Sequence, residues 1–307
     1  MTPDKYTISE TFVSVGDGHN LYIHDWGNKS AKKPIIFLHG GPGSFCQDKH
    51  KGIFNPENQR VIFFDQRGSG KSTPYGELSN NTTDELVEDI NKITDHLKID
   101  KFILQGGSWG SCLAFAYAIA HPQRVIGIVL AGIYTCSQSE NDWLNNGGFK
   151  SFYPDAWDEY LARTPQEHRD NPTAYHMSQI ASENEDARKL SAYAYSCLEA
   201  SLMKLDDRFT PDDYETFDPA GSIIEMTYIA NNGFMPDRFI IENAHKIIAP
   251  VWLVQGRYDI VCPPVTAYEL SSEIPNCKLI LTTSGHKAEH ESWNLIRTIL
   301  GEITEDK

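Results

Sequence analysis

The stretch Gln105-Gly106-Gly107-Ser108-Trp109-Gly110-Ser111 constrains this chain more than any other. It follows an apolar, strand-like run, Phe102-Ile103-Leu104, and leads into a small-residue helical run from Cys112 to Ala120. Gly106, Ser108 and Gly110 fit G-x-S-x-G, a sharp strand-to-helix turn that lifts a serine hydroxyl above the edge of a sheet. Glycines flank the serine because the backbone is strained there and neighbouring Cβ atoms would collide. The string alone is common. The strand before it and the helix after it make it a nucleophile elbow.

The rest of the chain supplies a sheet for that elbow. Ile35–Leu38 and Val61–Phe64 are continuous apolar runs, the pattern of strands buried on both faces. Residues 20–26 alternate as an edge strand does. Leu86, Ile90, Ile93 and Leu97 recur at helical spacing and predict an amphipathic helix over 82–97, with Thr82-x-x-Glu85 as a candidate capping box. Further strands are predicted at 101–105, 125–130, 250–255 and 278–282, and a closing helix at 288–301. Alternating strand and helix means a mostly parallel sheet with helices on both faces. Residues 138–247 differ: they are acidic, rich in Tyr, Trp and Asn, and lack buried-strand runs, with helical segments such as 186–204. The expected organisation is a core from 1–137 and 248–307, interrupted by a mostly helical cap at 138–247.

Charge narrows the partners. The net charge is −15, which argues against nucleic acid because phosphate contact needs a basic face. Residues 138–247 hold 20 Asp and Glu against 9 Lys and Arg, so −11 of the −15 lies there. Most of that is a solvated surface, and its field would favour a cationic substrate. No run approaches the roughly 20 apolar residues of a membrane span. The N-terminal residues carry no basic and apolar signal pattern. Six scattered cysteines form no C-x-x-C pair, so free thiols and a cytoplasmic location are expected. Gly70-Lys71-Ser72 lacks the glycine at 65 that a phosphate loop needs, and 65–72 is read as a structural turn beside the active-site loop.

A serine hydroxyl needs a base, and the base needs an orienting carboxylate. Asp259, in Gly256-Arg257-Tyr258-Asp259, follows the strand at 250–255, and His286 follows the strand at 278–282. That is the Ser…Asp…His chain order of the α/β-hydrolase design. An oxyanion hole is expected from two backbone N–H groups. One is that of Trp109, after the nucleophile. The other is that of Gly41, in the His39-Gly40-Gly41-Pro42-Gly43 loop after the early strand.

With these residues assembled, the chain resembles the proline iminopeptidase family of α/β hydrolases over nearly its full length. The resemblance rests on HGGPG at 39–43, DQRGSGKS at 65–72, GGSWGS at 106–111, GRYD at 256–259, and Gly285-His286 followed by Ala288-Glu289. It implies an α/β-hydrolase core with an inserted helical cap, and a cytoplasmic, cofactor-free and metal-free exopeptidase. Such an enzyme releases proline from short peptides with a free N-terminus. Ser108 would be the nucleophile, Asp259 the orienting acid and His286 the base. The family's cap carries two glutamates that hold the substrate's amino group, and the matching positions are Glu199 and Glu225. The ring lining the pyrrolidine pocket would be Tyr134, where the family often has Phe, and Ala131 stands where it often has Arg. An esterase or small-amide hydrolase with the same triad stays open as an alternative, as does a non-catalytic binding protein on this fold. Oligomeric state is not legible.

Overall fold

The two continuous apolar runs stand side by side in the middle of an eight-stranded sheet. The computed structural model describes residues 4–205, 213–288 and 290–305. Glu289, quoted above for the resemblance, lies outside the described residues. The strands are β1 (Thr7–Gly16), β2 (His19–Gly27), β3 (Ile35–Leu38), β4 (Arg60–Phe64), β5 (Phe102–Ser108), β6 (Val125–Ile133), β7 (Val251–Gly256) and β8 (Cys277–Thr282), in the order β1-β2-β4-β3-β5-β6-β7-β8. From β4 to β8 neighbours run parallel, and β1 and β2 add an antiparallel hairpin.

Helices α1 (Thr83–His96), α2 (Trp109–Ala120), α9 (Pro264–Glu273) and α10 (His290–Thr304) belong to this sheet. Leu86, Ile90, Leu113 and Leu270 pack on one face of it, and Ile296, Ile299 and Leu300 of α10 pack on the other. Between β6 and β7 lie α3 (Gln138–Asn145), α4 (Pro154–Ala162), α5 (Pro172–Gln179), α6 (Glu185–Leu202), α7 (Ala220–Ala230) and α8 (Phe239–Asn243). Phe149, Tyr160, Tyr195 and Met226 form an apolar cluster of their own in this stretch. Val261 and Cys262, from the loop after β7, complete that cluster and tie it to the sheet. Among the described residues no helix is long and apolar enough to cross a membrane.

Two local expectations are corrected. Residues 20–26 are not an edge strand: β2 is covered by β1 on one side and β4 on the other. Its polar residues look like a solvent face only in sequence. Asp25 is buried because Arg60 holds it with two hydrogen bonds, at 2.9 and 2.8 Å, and His24 bonds Thr7 at 3.0 Å. Thr82 is the N-cap of α1 but makes no side-chain cap bond, so the capping box does not form. Glu85 instead faces the buried Arg67 at 3.3 Å, and that long-range ion pair displaces the local one.

Candidate active site

The elbow is built by close approach. Ser108 sits at φ 56°, ψ −129°, a conformation that holds non-glycine residues only where the surroundings enforce it. A Cβ on Gly110 would lie 2.2 Å from the carbonyl oxygen of Leu38, and one on Gly106 would lie 2.8 Å from the same atom. The glycines thus let the turn cross the end of β3. Trp109 opens α2, so its backbone N–H is free of the helix ladder. The Ser111 hydroxyl donates to the Ser108 carbonyl at 2.7 Å and accepts from the Tyr134 N–H at 3.0 Å, pinning the elbow to the end of β6.

Asp259 and His286 leave the ends of β7 and β8. His286 Nδ1 lies 3.1 and 3.0 Å from the two oxygens of Asp259. That carboxylate is buried and also accepts from the N–H groups of Val261 (3.1 Å) and Cys262 (2.8 Å) and from Gln255 Nε2 (3.1 Å). Gln255 in turn accepts from the Ile133 N–H at 2.7 Å, joining the acid to β6. Burial pulls the His286 pKa down, but the charge of Asp259 and its hydrogen bond outweigh this and leave it above its ordinary 6.5. A Cβ on Gly132 would meet His286 Cε1 at 3.1 Å and the Ser108 nitrogen at 3.5 Å, so base and nucleophile flank the same glycine.

The loop carrying Gly41 is braced by residues 65–67. His39 Nε2 accepts the Gln66 N–H at 3.0 Å, which leaves the proton on Nδ1 to donate to the Gly40 carbonyl at 2.9 Å. The Gln66 side chain bonds the His39 carbonyl (3.0 Å) and receives Trp109 Nε1 (2.9 Å), linking both expected oxyanion donors through one amide. Asp65 accepts the Cys46 and Lys71 N–H groups, each at 2.8 Å. Arg67 makes a two-pronged bond to the buried Asp89, at 2.7 and 2.8 Å.

The helices between β6 and β7 supply carboxylates. Ser108, Gly41, Tyr134, Glu199, Glu225 and Ile229 line one narrow cavity of about 30 Å³. Burial, the neighbouring charge of Glu199 and a hydrogen bond between the two push the Glu225 carboxyl well above the usual range. Tyr134 points its hydroxyl to Asn141 Oδ1 at 2.5 Å and so presents its ring. A third acid on this cavity, Glu140, is spent on structure. It accepts from the Thr135 and Ser137 N–H groups (3.1 Å each) and from their hydroxyls at 2.5 and 2.9 Å. Of the eight expected site residues, Gly41, Ser108, Tyr134, Glu199 and Glu225 line this cavity, Trp109 follows Ser108 in the chain, and His286, held by Asp259, lies on the other side of Ser108. Sequence reasoning assigned no role to Gln66, Ser111, Gln255, Glu140 or Asn141; Gln66 and Ser111 lie inside the DQRGSGKS and GGSWGS strings, and the Ser137-x-x-Glu140 capping string offered a signal for Glu140.

The family model described as "alpha/beta hydrolase fold" matches residues 33–291. A probable proline iminopeptidase of Leptolyngbya boryana is 39% identical over 277 residues, 87% of this chain and 85% of that protein. A proline iminopeptidase of Xylella fastidiosa is 39% identical over 293 residues, 93% of each chain. Among solved structures, a proline iminopeptidase of Mycobacterium smegmatis superposes with a TM-score of 0.61 at 20% identity, covering 96% of this chain and 99% of that one. At that identity it is similar in fold alone.

Proposed function

The chain belongs to the proline iminopeptidase family of α/β hydrolases, and from that premise we propose that it is a serine exopeptidase releasing an N-terminal residue, preferentially proline, from short peptides. The observation that carries the proposal is the placement of Glu199 and Glu225 in the same cavity as Ser108. A protonated N-terminal amine taken out of water must be paired, and two carboxylates supply charge-assisted hydrogen bonds. The residues at 138–247 act as the cap, and a cytoplasmic setting belongs to the same reading.

Ser108 Oγ attacks the carbonyl carbon of the first residue while His286 Nε2 takes the hydroxyl proton. The oxyanion is held by the N–H groups of Trp109 and Gly41. His286 then gives the proton to the leaving nitrogen and the C–N bond breaks. A water, deprotonated by the same imidazole, attacks the acyl-enzyme and releases the free amino acid. Asp259 holds the imidazole in the tautomer that leaves Nε2 facing the serine. The ring of Tyr134 closes the side of the cavity against the substrate's first side chain. A 30 Å³ cavity has room for about one water, so entry of a ring requires the cap walls to part.

The test compares prolyl, alanyl and N-blocked prolyl arylamides on the native enzyme and on Glu225→Gln. The prolyl substrate is expected to be cleaved best, and the blocked one not measurably. Glu225→Gln should lower kcat/KM for the free amine about 10- to 150-fold, the worth of one charged hydrogen bond of roughly 1.5–3 kcal/mol. Equal cleavage of the blocked substrate would remove the amine-recognition role and favour an esterase or amidase. The same variant has a stability signature. Glu225 holds its proton more tightly folded than unfolded, so native stability falls as pH rises from about 4.5 toward its raised folded value. Glu225→Gln lacks that fall, and its Tm should exceed the native one at alkaline pH.

Asp259→Asn tests the base. The acid limb of native kcat/KM should lie above pH 6.5, because His286 must be neutral and Asp259 raises its pKa. In the variant burial acts without that charge, so the limb should move to lower pH while kcat drops about 10⁴-fold. An unmoved limb in a pH–rate profile would assign the titration to another group.

A further inference from the structure

Ser108 also lines a second cavity, of about 210 Å³, which does not include the acid pair. Its walls are mainly apolar, built from Phe37, Ile53, Ala131, Trp293 and Ile296. His286 lines this cavity and not the one holding Glu199 and Glu225. Gln105 lines it too; the residue is 4% exposed, and its Oε1 is buried without a hydrogen-bond partner.

Proton transfer assigns the two cavities to opposite sides of the scissile bond. The leaving nitrogen must come within hydrogen-bond reach of His286. The amine paired with Glu199 and Glu225 belongs to the other half, the one that stays on Ser108. A peptide with its amine in the first cavity and its carbonyl at Ser108 therefore sends its departing half along the His286 side. We propose that the second cavity is the subsite for the side chain of the residue after the cleaved bond, selecting a medium-sized apolar group; this rests on the aminopeptidase reading above. The alanine at 131 keeps the space open, since a longer side chain there would occupy it.

The experiment measures kcat/KM for prolinamide, Pro-Gly-NH2 and Pro-Leu-NH2 with the full chain. The native enzyme should prefer Pro-Leu-NH2 over Pro-Gly-NH2 by tenfold or more, as apolar pockets discriminate between side chains. Ala131→Leu, which fills the cavity, should bring that ratio close to one. Trp293→Ala, which widens it, should shift the optimum from Pro-Leu-NH2 to Pro-Trp-NH2 and keeps the test alive if Ala131→Leu folds poorly. A purely structural role for these residues would change all substrates in proportion and leave the ratios unmoved. Cleavage of prolinamide with a native ratio near one, or ratios unmoved in both variants, would overturn the subsite alone. No cleavage of any of the three would sink the aminopeptidase reading and the subsite with it.

Discussion

Ser108→Ala is expected to lower kcat for prolyl peptides on the order of 10⁵- to 10⁶-fold, the size of loss seen when the nucleophile of an intact triad is removed. KM should change little if, as proposed, Glu199 and Glu225 hold the amine. Ser108→Gly should be equally inactive and yet more stable than Ser108→Ala by about 1 kcal/mol. The reason lies in the backbone. At φ 56° any Cβ is strained by roughly 1–3 kcal/mol, and glycine relieves that while losing about 0.5–1 kcal/mol through the entropy of the unfolded chain. Denaturant unfolding of the two variants side by side measures the difference. Residual turnover near the native rate in either would place the reacting nucleophile elsewhere.

Arg67→Met should cost about 3–5 kcal/mol of stability, the largest loss expected from a residue outside the triad. The guanidinium is fully buried and pairs with Asp89, which is equally buried, while Asp17 and Glu85 approach it at 3.5 and 3.3 Å. Removing it strands the Asp89 carboxylate. Burial already holds the Asp89 pKa above its ordinary value despite the neighbouring cation. Without the cation that pKa rises further, so the folded variant takes up a proton that the unfolded chain releases. Stability of the variant should therefore fall as pH rises above about 4, and its deficit should be smaller at pH 5 than at pH 8. Adding Asp89→Leu should recover much of the loss. Thermal melts at the two pH values check both statements. Activity should fall with stability, because Arg67 anchors the segment whose Gln66 braces His39 and Trp109.

The parts of the site legible in sequence share one property: each sits at a strand-to-loop junction with a local signature. Ser108 ends β5, Asp259 and His286 follow β7 and β8, and Gly41 follows β3, so a strand pattern together with the G-x-S-x-G turn, the glycine-rich loop and the Ser…Asp…His order locates them. Glu199 and Glu225 lie on helices with no such marker and became visible only through the family's segments. β1 was missed because it is half-exposed, and Val13 and Val15 are its fully buried apolar residues. β2 was misplaced because two of its polar residues are satisfied from other strands, by Arg60 and Thr7. Glu85 left its expected cap for a partner 18 residues earlier. Gln255 is the least legible of all, since a glutamine that braces two elements looks in sequence like any other glutamine.

One contact between the loop carrying Gly41 and α7 has a mechanical meaning. Gly43 and Gly221 meet backbone to backbone: a Cβ on Gly43 would lie 2.2 Å from the Gly221 carbonyl oxygen, and one on Gly221 would lie 2.7 Å from that of Gly43. There is no side chain between them to absorb movement. Gly221 belongs to the first turn of α7, the helix that carries Glu225, while Gly43 is two residues from the Gly41 amide. The helix that carries Glu225 thus bears directly on the loop that carries Gly41, as a lever bears on its fulcrum. If Glu225 seats the amine and the Gly41 amide meets the oxyanion, as proposed, a shift of α7 on binding would press on the backbone two residues from that amide.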